Sequence, residues 1–354
     1  MQLLQISNVV RRQNKLTTTR TATDFLVYDR TLGVAAMEFR GFYYPVDLAI
    51  NKEGRIYGLN RSHEGDPRGV RVCMFDYDSN YFGAFGSVGE EDGQFTWATS
   101  IAIDREGLVY VADEYTDRIS IFDSEGNYLR KWGEHGDMPG QIDGPASMAF
   151  DNDDNLLISD HRNNRIQKFT KDGRYVSSFG KEGDGDGEFN LPWGVTVSSS
   201  GDLYVVDWRN DRIQRFTSDG EFKSKYFESG SDEGQLSRPA SVAVDKSGHM
   251  YVADMGNDRV QVFDPDGGFM MTLEGQATVS PWAQEFLDAS PTEASARYES
   301  DLRVALNART GGTYEKRSHI EHLFWAPTSV KLDLEGRIYV TDRNRHRVQV
   351  YRRV

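Results

Sequence analysis

The sequence predicts an all-β chain folded as a six-bladed β-propeller. Three observations predict it: a repeat of fixed length, four apolar β-rich segments in each repeat, and Gly-containing turns between them. An Asp closing the second segment sets the repeat, for Asp113, Asp160, Asp207 and Asp254 follow one another at intervals of 47 residues. Asn60 stands 53 residues before Asp113, and Asp342 stands 88 after Asp254, so two insertions lengthen the outer intervals. Discounting them leaves six copies of one unit. In one copy, "SVAVD", "HMYVAD", "RVQVF" and "FMMTLEG" are separated by "KSG", "MGND" and "DPDGG". Turns this short force neighbouring strands antiparallel. A four-stranded unit of about 40–50 residues, repeated six times, matches a propeller blade. Radial closure also removes the terminal edges that an open stack would expose.

Each element has its own signal. The N-terminal "MQLLQISNVVRRQNK" lacks an apolar core of signal-peptide length, and no stretch approaches the roughly 18 apolar residues of a membrane span. A cytoplasmic location without membrane contact is therefore expected. The last unit stops after its third strand, "HRVQVYRR", while residues 33–40, "GVAAMEFR", precede the first unit. That N-terminal strand is expected to complete the sixth blade, and "FLVYD" at 25–29 is open as a further outer strand. In the first blade Arg71 takes the place that Arg118 holds in the second.

The chain reads as a single domain, 1–354, with a helical insertion at 276–321 between blades 5 and 6. Within it Ser290 suits an N-cap, Pro291 the first helical position, Glu293 a capping box and Gly311 the stop. Ala294, Tyr298, Leu302 and Leu306 recur every four residues as one apolar stripe. "SPWAQEFL" before them has the look of a shorter helix. The insertion joins a fourth strand to the next first strand, so it leaves on the rim that carries the variable loops. A lid over the channel mouth and a homodimer interface are the two readings.

Composition narrows the partners. The chain carries 41 basic and 55 acidic residues, a net charge of −14, which opposes attraction to a phosphate backbone. Nucleic acid is thus an unfavoured partner, and a small-molecule ligand is expected instead. The one cysteine, Cys73, cannot form an internal disulfide and reads as a buried small hydrophobe in "VRVCMF". His319 and His322 are three apart but lack a third partner nearby, and His63, His135, His161, His249 and His346 are scattered. No metal site or cofactor is expected, apart from a channel-bound cation near Asp47.

The pattern P-x-[GS]-[VI]-A-V-D, followed by [IL]-Y-V-A-D-x-x-[NT]-[DN]-R-[IV]-Q-x-F, resembles NHL-repeat propellers over roughly residues 33–275 and 322–354. It lacks the Gly-His and Trp-Asp signature of WD40 blades and the paired glycines of kelch blades. The resemblance implies the propeller fold and a spread of functions: scaffolds, RNA-binding modules and a zinc-dependent amidating lyase. In that lyase, zinc-binding histidines stand at channel-facing positions, including the one before the ring residue described below. Here those positions hold Val46, Thr99, Ala146, Trp193, Ala240 and Thr328, so its zinc site does not carry over.

Strand direction separates frame from function. If strands alternate, every loop from Asp to Arg faces one rim. The pairs Asp113–Arg118, Asp160–Arg165, Asp207–Arg212, Asp254–Arg259 and Asp342–Arg347 recur there, and recurrence marks them as structural clasps. What varies is directly after the Asp position: Arg61, Glu114, His161, Trp208, Met255 and Arg343, with Tyr115, Arg162 and Arg209 following. The starts of the first strands add Tyr44, Trp97, Gly144, Leu191, Arg238 and Ala326, and Trp193 stands two beyond Leu191. A third ring, Asp47, Ser100, Ser147, Gly194, Ser241 and Ser329, contains one carboxylate.

Arg beside aromatic planes suits a carboxylate or phosphate on a flat or apolar body. Tyr44, Arg61, Trp97, Tyr115, Arg162, Trp193, Trp208, Arg209, Arg238 and Arg343 are accordingly expected to contact substrate. His161 is the candidate general acid or base; Asp47 is the second catalytic candidate, to orient it, bind a cation or polarise water, with hydrogen bonds to channel waters or neighbouring serines as the equal alternative. The function expected is a hydrolase or lyase acting on a small anionic or aromatic metabolite. The alternative is a non-catalytic module that binds a protein segment or ligand.

Overall fold

A computed structural model describes residues 25–61, 68–300 and 320–354. Blade 1 comprises Pro45–Ile50, Arg55–Asn60, Arg71–Asp76 and Tyr81–Phe85, paired in that order. The next four blades repeat the arrangement from inner strands Ala98–Ile103, Pro145–Phe150, Pro192–Val197 and Ser241–Val244. All neighbouring strands within the blades are antiparallel, so the loop after each Asp opens on one face. The fold is the six-bladed all-β propeller, and a helical insertion follows blade 5.

The closing strand lies elsewhere than expected. Leu26–Leu32 pairs with Arg347–Arg353 as the fourth strand of blade 6, whose others are Pro327–Leu332 and Ile338–Asp342. Residues 33–40 form the connection into blade 1, where Ala35 bridges Phe42. The same bridge recurs as Val88 to Phe95, His135 to Ile142 and Glu182 to Phe189. Gly33 shows why this stretch turns rather than pairs: at φ +91°, a Cβ there would stand 2.2 Å from the Phe42 ring.

Wedges of aromatic side chains fill the blade interfaces. Phe95 and Phe122 lie 5.6 Å apart, as do Phe189 and Phe216, while Phe42 and Phe75 are 5.4 Å apart, all fully buried. Rings of this size dominate burial energetics, and they supply a core without disulfides. Cys73 is buried as expected, its thiol donating to the Gly41 carbonyl.

The clasp forms in four of its five predicted places. Arg165, Arg212, Arg259 and Arg347 donate from Nε to their Asp at 2.7–2.8 Å. Each also reaches carbonyls of the loop leading into its own blade, as Arg212 does to Asp184, Gly185 and Glu188. Gln and Asn complete the first three: Gln214 and Asn210 both donate to Asp207. Blade 2 has Thr116 and Ser120 at those positions, and its Asp113 instead accepts the amides of Thr96, Trp97, Tyr115 and Thr116. Arg118 turns to the Glu90 carbonyl, so the expected Asp113–Arg118 pair is absent.

A second belt runs from blade to blade. The residue before the clasp Arg sits in the left-handed region, and its side chain accepts the backbone N–H that opens the next blade. Asp117 thus takes Gly144, Asn164 takes Leu191, Asp211 takes Arg238, Asp258 takes Ala326, and Nδ1 of His346 takes Tyr44. These bonds offset the cost of the left-handed backbone.

The insertion begins with helix α1 (Pro281–Ala289), capped by the Ser280 hydroxyl, and α2 (Pro291–Glu299). Pro291 opens α2 as predicted, but Ser290 makes no side-chain cap and the capping box is not formed. The helix stops at Glu299 rather than at Gly311. Ser300 is extended and turns its hydroxyl back onto the Arg297 carbonyl. Leu302, Leu306 and Gly311 lie outside the described residues. The Trp282 ring of α1 packs against Phe75, Tyr81 and Phe42 of blade 1, and its N–H donates to Ser79. Helix α1 therefore braces the wall where blades 6 and 1 meet.

Candidate functional site

Side chains that interrupt the frame meet around one end of the channel. The Arg61 guanidinium lies 3.8 Å over the Trp97 ring and 3.9 Å from Glu114. Oε1 of Glu114 accepts from Arg162 at 2.7 Å and stands 3.5 Å from Nε2 of His161. His161 meets Trp193 edge to face at 5.4 Å, and Trp193 lies 5.8 Å from Trp208. Arg209 and Arg238 each place a guanidinium 5.5 Å from the Trp208 ring. Arg343 lies 5.9 Å from the Tyr44 ring, across from Arg61. Most of the predicted contact residues are thus joined by direct neighbours. Tyr115 is the outlier, 65% exposed.

Charge is unevenly shared in this ring. Burial first, and then the charge of Arg343, lowers the Arg61 guanidinium to about 9, with Glu114 only partly opposing. Burial also lowers Arg343. The Nε atoms of both are buried without a hydrogen-bond partner among the described residues. Burial works against the Glu114 carboxylate, yet His161, Arg61 and Arg162 together hold it below the usual range. His161 is 6% exposed, and neither ring nitrogen has a hydrogen-bond partner among the described residues.

Glu114 is the residue that sequence reasoning passed over. It was grouped with the variable rim, although it is the one carboxylate among the six positions directly after the Asp or Asn, and that contrast was the available signal. Asp47 belongs to a different system. It accepts from Ser100, Ser329 and the amides of Leu48 and Ile101. Ser100, Ser147 and Ser241 in turn accept backbone amides of Met148, Val195 and Val330 in the following blades. The ammonium of Lys331 stands 3.2 Å from Asp47, where a channel cation was expected. Among the described contacts, the carboxylate beside His161 is Glu114.

Arg162 has less freedom than its sequence position suggests, since it also donates to Asp143 at 3.1 Å. Asp143, Asp117 and His135 form one group of three whose donor atoms lie within 4.8 Å and could hold a metal ion. His135 is largely exposed there and bonds Asp117 at 2.8 Å.

Six closed blades, a ring of frame-breaking side chains at one mouth, and clasps keeping that frame define a β-propeller with a polar, aromatic-walled rim. Four of its blades match the NHL repeat family, over residues 143–169, 189–216, 236–263 and 324–351. No curated protein matches the sequence. Among solved structures, a streptogramin B lyase is similar at TM-score 0.54 and 12% identity, over 93% of this chain and 98% of that one. A catalytically inactive virginiamycin B lyase from Staphylococcus aureus, solved with quinupristin, gives 0.54 and 12% over 92% and 99%. A protein of unknown function from Bacteroides thetaiotaomicron gives 0.57 and 16% over 93% and 76%. At these identities the likeness is one of fold.

Proposed function

We propose that the mouth holds a small anionic ligand with a flat or apolar body and acts on it as a lyase or hydrolase. The observation that carries this reading is the Arg61–Arg343 pair. Two cations are crowded together in a mostly buried place, their Nε atoms unpartnered among the described residues, and the carboxylate 3.9 Å from Arg61, Glu114, is shared with His161 and Arg162. A carboxylate or phosphate between them supplies both the missing charge and the missing acceptors. Trp97, Trp193 and Trp208 provide faces for the rest of the molecule.

His161 is the proton-transfer group, and Glu114 orients the imidazole and stabilises its charged form. Asp47, bound by two serines and Lys331, serves the channel rather than the reaction. The lyase class gains support by analogy from the streptogramin B and virginiamycin B lyases, which share only the fold. The net charge favours a small-molecule ligand over nucleic acid. Among the described residues no helix is long and apolar enough to cross a membrane; a cytoplasmic site of action is part of the same proposal. A homodimer through the insertion belongs to the same proposal, since α2 buries none of its residues.

The test is a thermal-shift screen of carboxylates and phosphates, followed by turnover assays on each hit. Arg61→Gln and Arg343→Gln should each weaken binding by about 1.5–3 kcal/mol, the scale of a charge-assisted hydrogen bond. His161→Gln should keep binding and lose about 100-fold in turnover. Binding undiminished in both Arg variants would overturn the site. The second reading, a binding module without chemistry, is favoured by the withdrawal of Asp47 from His161. Binding that depends on the arginines, with no turnover of any hit, would select it.

A further inference from the structure

The residue leading into an inner strand is held against the residue that follows the Asp or Asn of the same blade. The N–H groups of Arg61, Glu114, His161 and Arg343 donate to the carbonyls of Tyr44, Trp97, Gly144 and Ala326 at 3.0–3.4 Å. In every blade but the second, the leading residue has a left-handed backbone. Tyr44, Gly144, Leu191, Arg238 and Ala326 stand there at φ 51, 71, 53, 45 and 57°. Four of these five carry a side chain, so the backbone alone does not call for glycine in blade 3.

Space calls for it instead. A Cβ on Gly144 would stand 2.7 Å from Cδ2 and 2.9 Å from Nε2 of His161, and 3.2 Å from the guanidinium carbon of Arg162. Non-bonded carbons rest about 3.5–4.0 Å apart, so the imidazole occupies the volume of the missing side chain. Other groups close the seat. Trp193 meets the imidazole edge to face at 5.4 Å, and Oε1 of Glu114 stands 3.5 Å from Nε2. Arg162, paired with both Glu114 and Asp143, lies beside Gly144 on the solvent side. The imidazole is left 6% exposed.

We propose that Gly144 is a positioning residue of the mouth: lacking a side chain, it lets the imidazole of His161 fold onto the backbone between blades 2 and 3, facing Glu114 and Trp193. A larger residue there swings the imidazole off Glu114 while leaving both members of that pair in the chain. The seat stands on the geometry alone, whereas its consequence for turnover rests on the reading of His161 as the proton-transfer group.

The experiment uses the full chain and diethyl pyrocarbonate, which acylates accessible imidazoles, with labelling read by peptide mass spectrometry. His135, largely exposed, is the internal reference. Because access governs the labelling rate, His161 should react about tenfold faster or more in Gly144→Ala than in the native chain. Gly144→Ala should also lower the melting temperature more in the native chain than in a His161→Ala background, where the clash has lost one party. On any ligand that the native chain turns over, Gly144→Ala should reduce kcat about tenfold or more and leave the affinity set by Arg61 and Arg343 unchanged. Unchanged labelling of His161 would overturn the proposal. Equal thermal losses in the two backgrounds would do the same, by placing the demand for glycine in the backbone. Should Gly144→Ala fail to fold, the double variant decides: a folded one supports the seat and an unfolded one refutes it. Faster labelling with unchanged kcat would uphold the seat and overturn the role of His161 in the reaction.

Discussion

Arg212→Ala tests whether the clasp holds a blade together, and its cost can be worked from the contacts. The Arg212 guanidinium donates to Asp207 at 2.8 Å and to the carbonyls of Asp184, Gly185 and Glu188 at 2.6, 2.8 and 3.0 Å. Asp207 is 0% exposed, and burial already pushes its carboxyl above the usual range despite the Asn190 amide, Asn210 and Arg212. Removing one member of a buried pair strands the other and costs about 3–5 kcal/mol. The three carbonyls sit on a partly exposed loop where water can replace the guanidinium, so they add little. The chain supplies its own control in Arg118, which makes no ion pair with Asp113; Arg118→Ala should cost under about 1 kcal/mol. Urea unfolding followed by tryptophan fluorescence measures both. Equal losses for the two variants, or a loss below about 1 kcal/mol for Arg212→Ala, would refute the structural role of the clasp.

Three further outcomes are expected. Deleting residues 1–33 removes the strand paired with Arg347–Arg353, and should give a less stable, self-associating protein by size-exclusion chromatography and melting. Burial, and then Arg343, lowers the His346 imidazole to about 4, against about 6.5 in an unfolded chain. A depressed folded pKa means stability is full above pH 6.5 or so and is lost as pH falls towards 4, and protonation also removes the acceptor for Tyr44. Melting temperatures across that window should fall further for the native chain than for His346→Asn, which restores the frame's neutral acceptor; parallel curves would argue against it. Glu114→Gln, by removing the counter-charge from Arg61, should tighten anion binding about tenfold at low salt while slowing any turnover, as titration and rate assays on one ligand would show.

The blade count was legible because Asp, Arg and the intervening strands repeat at one spacing, each repetition serving the same bonds. The closing strand was misplaced because "GVAAMEFR" is apolar enough to look like a strand. The interval from Leu32 to Pro45 equals those from Phe85 to Ala98, Trp132 to Pro145 and Phe179 to Pro192, which identifies 33–40 as a connection. Arg61, His161, Trp208 and Arg343 were legible at the mouth because a residue that breaks a structural frame has no structural reason to be there. Asp47 stands out for the same reason, and its position leaves open whether it serves His161, a cation or the neighbouring serines. Its bonds to Ser100 and Ser329 join blades far apart in sequence, and spacing along one blade does not reveal which hydroxyls converge across the channel. The lost clasp of blade 2 was concealed because Asp113 and Arg118 are both present. Their supporting Asn and Gln are not.

The seam where the ring closes is not covalent. Leu26 lies opposite Arg353, and the Val354 amide donates to the Phe25 carbonyl, so the first strand of the ring and its last meet side by side in one sheet. In a chain shortened by residues 1–24, a short peptide joining residue 354 to residue 25 would make the backbone circular without moving a strand, and the circle could then be cut at any of the tight turns on the face opposite the mouth. Gly107 and Gly336 are such sites, with open space around them. The order in which the blades are written along the chain is therefore a convention of this polypeptide, and a rearranged chain starting at residue 108 should assemble the same ring.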